Sequence, residues 1–304
     1  MPVTLRSRCN KARLFTRSRG GSPPGVRRLG RRLRIASIAL ALSAGVGLVG
    51  GPSLSLADTG SVYVDANQNV AAGNSLFNAT FTGHRNVGMG LSVMPFLSTG
   101  SDNIGTGTNA LALTTAGSNN VATGSDALTS NTTGTSNIAT GTGAMLSNTT
   151  GGANVATGDS ALTANTTGFD NVASGYAALY ANTTGEDNVA SGRNALFVNT
   201  TGHDNSATGT GALTANTTGS NNAALGSGAG KNLTTGSNNI DIVNAGKAGE
   251  AGTIRIGTDG KQTAAYIAGI SATPLGGAAQ PVVVKSNGQL GTAPPRGVAL
   301  IPAM

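Results

Sequence analysis

Residues 120–136 read Asn-Val-Ala-Thr-Gly-Ser-Asp-Ala-Leu-Thr-Ser-Asn-Thr-Thr-Gly-Thr-Ser, and this pattern recurs every 17 residues across residues 69–252. Asparagine opens each unit, at Asn69, Asn86, Asn103, Asn120, Asn137, Asn154, Asn171, Asn188, Asn205, Asn222 and Asn239, with no insertion or deletion between them. A fixed period of this length makes each unit one coil of a stacked array. Such a chain is a rod, not a globule built around a catalytic pocket.

Within the unit, Val121-Ala122-Thr123 and Ala127-Leu128-Thr129 are two short β-compatible stretches, separated by Gly124 and followed by the turn Asn131-Thr132-Thr133-Gly134. Glycine holds the fifth position from Gly73 to Gly226 and the fifteenth from Gly83 to Gly236. Each column implies a positive φ, or a backbone approached too closely for a Cβ. The asparagines of the first position, and of the twelfth from Asn131 to Asn216, can bond their own turns or stack as ladders from coil to coil. Two strands and two corners per coil predict an all-β fold, a parallel β-roll or β-solenoid. About eleven coils at ~4.8 Å each give a rod roughly 50 Å long. A helical solenoid is disfavoured, because glycine and Thr-Thr-Gly recur within every few residues.

Side-chain size adds an expectation about assembly. The third position is Ala or Gly up to the unit at Asn239, as in Ala122, Ala139 and Ala156, and the eighth is Ala from Ala110 to Ala229. Strand alternation places Val121 opposite Ala122 and Ala127 opposite Leu128. The alanines then fill a narrow interior, and Val155, Val172 and Val189 with Leu162, Leu179 and Leu196 form an outward apolar stripe. A stripe of that length calls for burial in a homo-oligomer. The competing arrangement puts Val and Leu inside a monomeric roll.

The net charge of +7 misleads. Eleven of the nineteen Lys and Arg residues precede residue 58, and all twelve acidic residues lie at or after Asp58. Residues 58–304 therefore carry eight basic and twelve acidic residues, a net charge of −4, which removes the basis for a nucleic-acid partner. Residues 1–57 read as a signal peptide: a basic segment, an apolar run from Ile35 to Val49, the breaker Gly50-Gly51-Pro52, and Ser55-Leu56-Ala57 before a cleavage point at Asp58. The apolar run is short of the roughly 20 residues a membrane span needs. Cleavage then leaves no stable membrane insertion, and the mature protein is secreted or held at the cell surface. Arg31-Arg32 offers a twin-arginine route beside the general one. Cys9 is the single cysteine and falls in this leader, so the mature chain has neither disulfides nor thiolate chemistry. Tryptophan is absent and aromatics make up 3% of the chain, too few for a large-residue core. Composition alone would suggest disorder, but a register kept over eleven units argues against it.

The unit Asn-Val-Ala-Ser-Gly-Tyr-Ala-Ala-Leu-Tyr-Ala-Asn-Thr-Thr-Gly-Glu-Asp at residues 171–187 resembles the head repeats of YadA-type trimeric autotransporter adhesins. It is closest in kind to their longer Asn-Thr-Thr-Gly variety, found in bacterial surface and fibre proteins. The resemblance covers about 185 of 304 residues. It implies a left-handed parallel β-roll, assembly as a homotrimer, and attachment to a surface ligand such as a matrix protein or a glycan. Residues 58–68 form the segment before the array, 253–291 a β-rich segment after it and 292–304 a flexible tail. In the β-rich segment, Thr253-Ile254-Arg255-Ile256-Gly257 and Ala265-Tyr266-Ile267-Ala268-Gly269-Ile270 are β-type, and residues 281–290 read as a hairpin about Asn287-Gly288. This segment resembles the region before a self-cleaving chaperone domain in fibre-like proteins. No stretch of the sequence resembles that domain or a set of membrane-anchoring strands.

No catalytic constellation stands out, and the chain reads as non-enzymatic, without cofactor or metal. His84 and His203 each sit in a turn at a coil boundary, and no partnered nucleophile or phosphate loop accompanies the many Ser, Thr and Gly. Asp170, Asp187 and Asp204 repeat in three successive coils, as turn caps or as a cation ladder. The same coils hold Phe169, Tyr176, Tyr180, Glu186, Arg193 and Phe197, which include four of the array's seven aromatics, and these nine residues are the candidate binding surface. The Asn-Thr-Thr triplets match a glycosylation sequon that the turn already explains. The predicted function is an exported structural and adhesive rod. Alternatives are an ice- or polysaccharide-binding module, on the recurrent Thr106, Thr123, Thr140 and Thr157, or a phage-type fibre, against which the leader argues.

Overall fold

The computed structural model describes residues 62–78, 80–267 and 282–292, all within one compact unit, Ser55–Met304. Residues 1–61, which hold the expected leader and its cleavage point, and residues 79, 268–281 and 293–304 lie outside the described residues. Strands β1 (Tyr63–Val64), β2 (Val70–Asn74), β3 (Val87–Leu91) and β4 (Ile104–Thr108) are followed by three-residue strands β5 (Val121–Thr123), β6 (Ile138–Thr140), β7 (Val155–Thr157), β8 (Val172–Ser174), β9 (Val189–Ser191), β10 (Ser206–Thr208), β11 (Ala223–Leu225), β12 (Ile240–Ile242) and β13 (Ile254–Ile256). They form a single thirteen-stranded sheet in chain order. Every pairing is parallel except β1 on β2, which closes the N-terminal edge antiparallel. From β2 to β12 the register is the sequence period itself, as in Val121↔Ile138, Ala122↔Ala139 and Thr123↔Thr140. The step to β13 is shorter, with Ile240 paired to Ile254. No helix occurs among the described residues, and none therefore is long and apolar enough to cross a membrane. The predicted parallel β-solenoid of 17-residue coils is the fold.

One element of the prediction fails. The second β-compatible stretch, residues 127–129, is a turn and not a strand, so each central coil has one strand. The backbone there is left-handed on both sides of the inward alanine, at Asp126 (φ 58) and Leu128 (φ 52), which breaks two-residue alternation. The chain still bonds from coil to coil: Leu128 N donates to Ala144 O and Ser130 N to Leu146 O, each at 3.0 Å.

The outward Leu column is accordingly a correction. Leu111, Leu128, Met145, Leu162, Leu179, Leu196 and Leu213 are all fully buried beside the alanines of the third and eighth positions. The left-handed φ turns their Cβ inward instead of outward. That conformation costs about 1–2 kcal/mol for a residue with a Cβ, against about 1.5–3 kcal/mol from burying a Leu side chain. Burial offsets the strain. The valine half of the expected stripe does stand outward: Val172 and Val189 are exposed and Val121 and Val155 half-exposed.

Two asparagine ladders close the coils. Asn120 Nδ2 and its backbone N both donate to Asn103 Oδ1 at 3.0 Å, and Nδ2 also donates to Gly134 O at 2.9 Å across the ends of the coil. The same scheme runs from Asn69 to Asn239, each of these side chains being buried. Asp65 begins it by accepting from Asn69 Nδ2, and Thr253 ends it by donating its N to Asn239 Oδ1 at 3.1 Å. The second ladder joins the twelfth positions, as Asn148 Nδ2 donates to Asn131 Oδ1 at 2.8 Å and to Gly151 O at 3.0 Å. Satisfied donors and acceptors at all but the last step of the second ladder make a buried polar column compatible with a core this thin. Both forms of the glycine argument hold. Gly124 has φ +137, and a Cβ on it would sit 2.5 Å from Gly141 O. Gly134 has no positive φ but faces Gly151 O and Asn131 Oδ1 too closely for any side chain.

The ends differ from the middle. At the N-terminal end Phe77 and Phe81 stack at 5.1 Å beside the buried Val93, Met94 and Leu97. At the other end Asp241 replaces alanine in the inward column, next to an Arg255–Glu250 ion pair of 2.6 Å. The hairpin about Asn287-Gly288 is formed by β14 (Val282–Val284) and β15 (Leu290–Thr292), antiparallel, with Gly288 at φ 82. The expected strand at residues 265–270 is not formed over 265–267, and 268–270 lie outside the described residues.

Candidate functional site

The nine candidate residues divide into two groups by their place in the coil. Tyr176 and Arg193 hold the sixth position of neighbouring coils, just after the Gly corner, and Tyr180 and Phe197 hold the tenth. The seventh position between them is left-handed in each coil, at Ser160 (φ 59), Ala177 (φ 51) and Asn194 (φ 56). That turn sends positions six and ten outward as two ridges and leaves the short seventh residues as a floor. The result is an open cleft of about 480 Å³ lined by Ser160, Tyr176, Ala177, Tyr180, Arg193, Asn194 and Phe197.

Its walls are ordered by coil stacking. The Tyr180 and Phe197 rings lie 5.2 Å apart at 14°, and the Arg193 guanidinium carbon lies 5.7 Å from the centre of the Tyr176 ring. The spacing of successive coils sets both contacts, since residues at equal positions stand one strand spacing apart. Among the described residues no carboxylate pairs with Arg193. Asn194 Oδ1 is buried at the floor without a hydrogen-bond partner.

Phe169, Asp170, Glu186, Asp187 and Asp204 do not join this cleft. They occupy positions sixteen and seventeen, after the Asn-Thr-Thr-Gly turn. Asp170, Asp187 and Asp204 have φ of 54°, 55° and 55°, which is the conformation Asp and Asn tolerate best after Gly. Asp187 N donates to Phe169 O and Asp204 N to Glu186 O, each at 3.2 Å, so this corner is a backbone ladder. The left-handed φ accounts for aspartate at these positions, whereas none of the three carboxylates bonds a turn amide among the described residues. Among the described residues no three His, Cys, Asp or Glu side chains gather closely enough to hold a metal ion. His203 Nδ1 lies 2.7 Å from Asp204 in an exposed turn. The sequon asparagines are fully buried with Nδ2 bonded, as at Asn165 to Gly168 O, which closes them to glycosylation in the folded coil.

Sequence reasoning missed two features. Ser160, Ala177 and Asn194 as a floor were not visible while the second stretch was read as a strand. Asp241 was legible as the one break in the Ala/Gly column, but its burial was not. Burial pushes the Asp241 carboxyl up to about 6, helped by the nearby Glu250 carboxylate and opposed by Arg255. Neither of its oxygens has a hydrogen-bond partner among the described residues.

A second surface is the outer sheet face. Positions two and four of the eleven coils, from Val70 and Ala72 to Ile240 and Ile242, contain no charged residue. Ser206 and Ala223 interrupt its aliphatic column, leaving a dent of about 300 Å³ beside Leu225, Ile240 and Ile242. No family model, curated protein or solved structure matches this chain.

Proposed function

We propose that this protein is an exported, non-enzymatic rod that associates into homotrimers through its outer sheet face and serves surface attachment. The observation that carries the reading is that uncharged face: twenty-two outward sheet positions, two from each of eleven stacked coils, without a charge, many of them Val or Ile. An isolated sheet face of that length would be expected to carry Lys or Glu, both for solubility and against edge-to-edge aggregation. Self-association around a symmetry axis removes it from water and keeps the coils in step. The loss of the leucines from this stripe narrows the argument to the valine and threonine columns. The likeness of the repeat to YadA-type heads supports the same reading, and the leader-like residues 1–57 support export.

Light scattering on the purified protein tests it. A mass near three times that of the chain is expected. Val155→Glu with Val172→Glu should dissociate the rod while leaving its β-rich circular dichroism intact. A wild-type protein that is monomeric and folded would rule the reading out.

A further inference from the structure

The cleft between the two ridges is the point at which the array departs from its own pattern. Between Arg85 and Lys231 the chain has one cation, Arg193, and between Phe96 and Tyr266 it has four aromatics, Phe169, Tyr176, Tyr180 and Phe197. The cation and three of the four aromatics line this cleft. Flanking coils place Asp159 and Thr163, or Thr210 and Thr214, at the same positions, so the scaffold does not require large side chains there. Tyr176 is 52% exposed and Tyr180 is 39% exposed, and neither belongs to the core.

Resting on the adhesive reading above, we infer that this cleft binds an acidic glycan. Two features select that ligand. Aromatic rings, Tyr176 among them, accept the C–H face of a sugar ring by apolar contact while leaving hydroxyls in water. Among the described residues Arg193 has no carboxylate partner, and it lies against Tyr176, so its planar fork is partly ordered for a carboxylate or sulfate at little further entropic cost. The volume of about 480 Å³ lies within the range of small-ligand clefts. The floor runs from coil to coil along the stacking direction, which suits a linear saccharide.

The test uses the whole protein and three probes: a uronic-acid oligomer, a sulfated galactan oligomer and an uncharged dextran of equal length, titrated by calorimetry. The variants are Arg193→Thr and Tyr180→Thr, which restore residues that neighbouring coils carry at the same positions. Binding of at least one acidic oligomer is expected, and the arm that binds identifies carboxylate or sulfate as the source of the charge. Dextran should bind at least about tenfold more weakly, and each variant should weaken acidic-oligomer binding about tenfold or more, with the Arg193 contribution declining as salt rises. No binding of either acidic oligomer by the wild type would overturn the inference. So would equal binding of dextran, or unchanged affinity in Arg193→Thr. Light scattering and attachment to matrix-protein-coated surfaces are measured on the same samples. A trimer that attaches but ignores both acidic oligomers fails only this inference, whereas a folded monomer fails the rod reading whatever it binds.

Discussion

The coil at 154–170 and the end of the array at 222–256 follow one backbone scheme with opposite interiors. In the first, Ala156, Ala161 and Leu162 fill the core, and Asn154 and Asn165 are bonded above and below. In the second, Gly230 stands where Leu is expected, Leu233 ends the second asparagine ladder and leaves Asn216 Oδ1 without a partner, and Asp241 enters the alanine column unpaired. The difference teaches that stacking alone does not stabilise a coil. Each repeat interior is close to fully satisfied, and the array ends where satisfaction ends. Thr114, at the start of the second ladder, tells the same story from the other side, since its buried hydroxyl has no partner.

The most direct way to break the comparison is to give a middle coil an end's defects. Asn171→Ala removes donors to Asn154 Oδ1 and Gly185 O, and deprives Asn188 of the acceptor for both its N and its Nδ2. A loss of about 4 kcal/mol or more is expected, since each buried group left unpaired costs about 1–3 kcal/mol. Because nearest-neighbour interfaces carry the stability of such arrays, urea unfolding should also split into two transitions. A single transition with an unmoved midpoint would deny the ladder its structural role. Leu162→Ala comes next, at about 2–5 kcal/mol for a buried leucine in a core too regular to collapse. Its urea midpoint should fall well below that of the wild type, and a shift within error would return leucine to the outside.

Repairing the end should work in the opposite direction. The folded carboxyl of Asp241 titrates at about 6 against an ordinary 3.8, so folding favours its neutral form. The contribution of Asp241 to the stability of the end is therefore greatest below about pH 4, and it is lost as pH rises through 6. The loss amounts to about 2–3 kcal/mol at 1.36 kcal/mol per unit. Glu250 acts in the other direction: the hydrogen bond from Arg255 holds its carboxyl below the usual range, so that contribution is present near neutrality and lost in acid. Asp241→Ala should raise stability at pH 7 by about 2 kcal/mol, and its gain should vanish near pH 4. Hydrogen exchange of the amides of β12 and β13, followed between pH 4 and 7, checks this. Equal protection in variant and wild type at both extremes would refute it.

How much of this was written in the sequence depends on where φ turns positive. The coil length, the strand at Val121–Thr123, the asparagine ladders and the small interior positions all follow from an unbroken period. Leu128 was misplaced because alternation holds only while the backbone stays extended, and nothing in the letters Ala-Leu-Thr announces a left-handed Leu. Asp126 and Asp187 do hint at such residues by type, whereas Leu and Met145 do not. The cleft shared this fate: its aromatic and cationic walls could be picked out as anomalies, but their grouping required the floor at Ala177 and Asn194. Phe169 and Asp170 seemed part of the same surface because they are close in sequence, yet they belong to the other corner of the coil.

The smallest expected effect sharpens that last distinction. If Asp187 serves the left-handed turn and not a ligand, asparagine, which tolerates the same φ of 55°, should replace it almost without consequence. Asp187→Asn should then shift stability by no more than about 0.5 kcal/mol, as for an ordinary surface exchange. Its thermal midpoint should respond to added calcium no more than that of the wild type, because stabilisation by a bound ion requires a site that the folded state alone possesses. The affinity of the cleft for an acidic oligomer should also be unchanged, since Asp187 is not among its lining residues. A calcium-dependent rise in the wild-type midpoint that disappears in Asp187→Asn would make the three stacked aspartates an ion ladder instead. The corner would then rank with the cleft as a site, and position seventeen would be held as much by charge as by the turn.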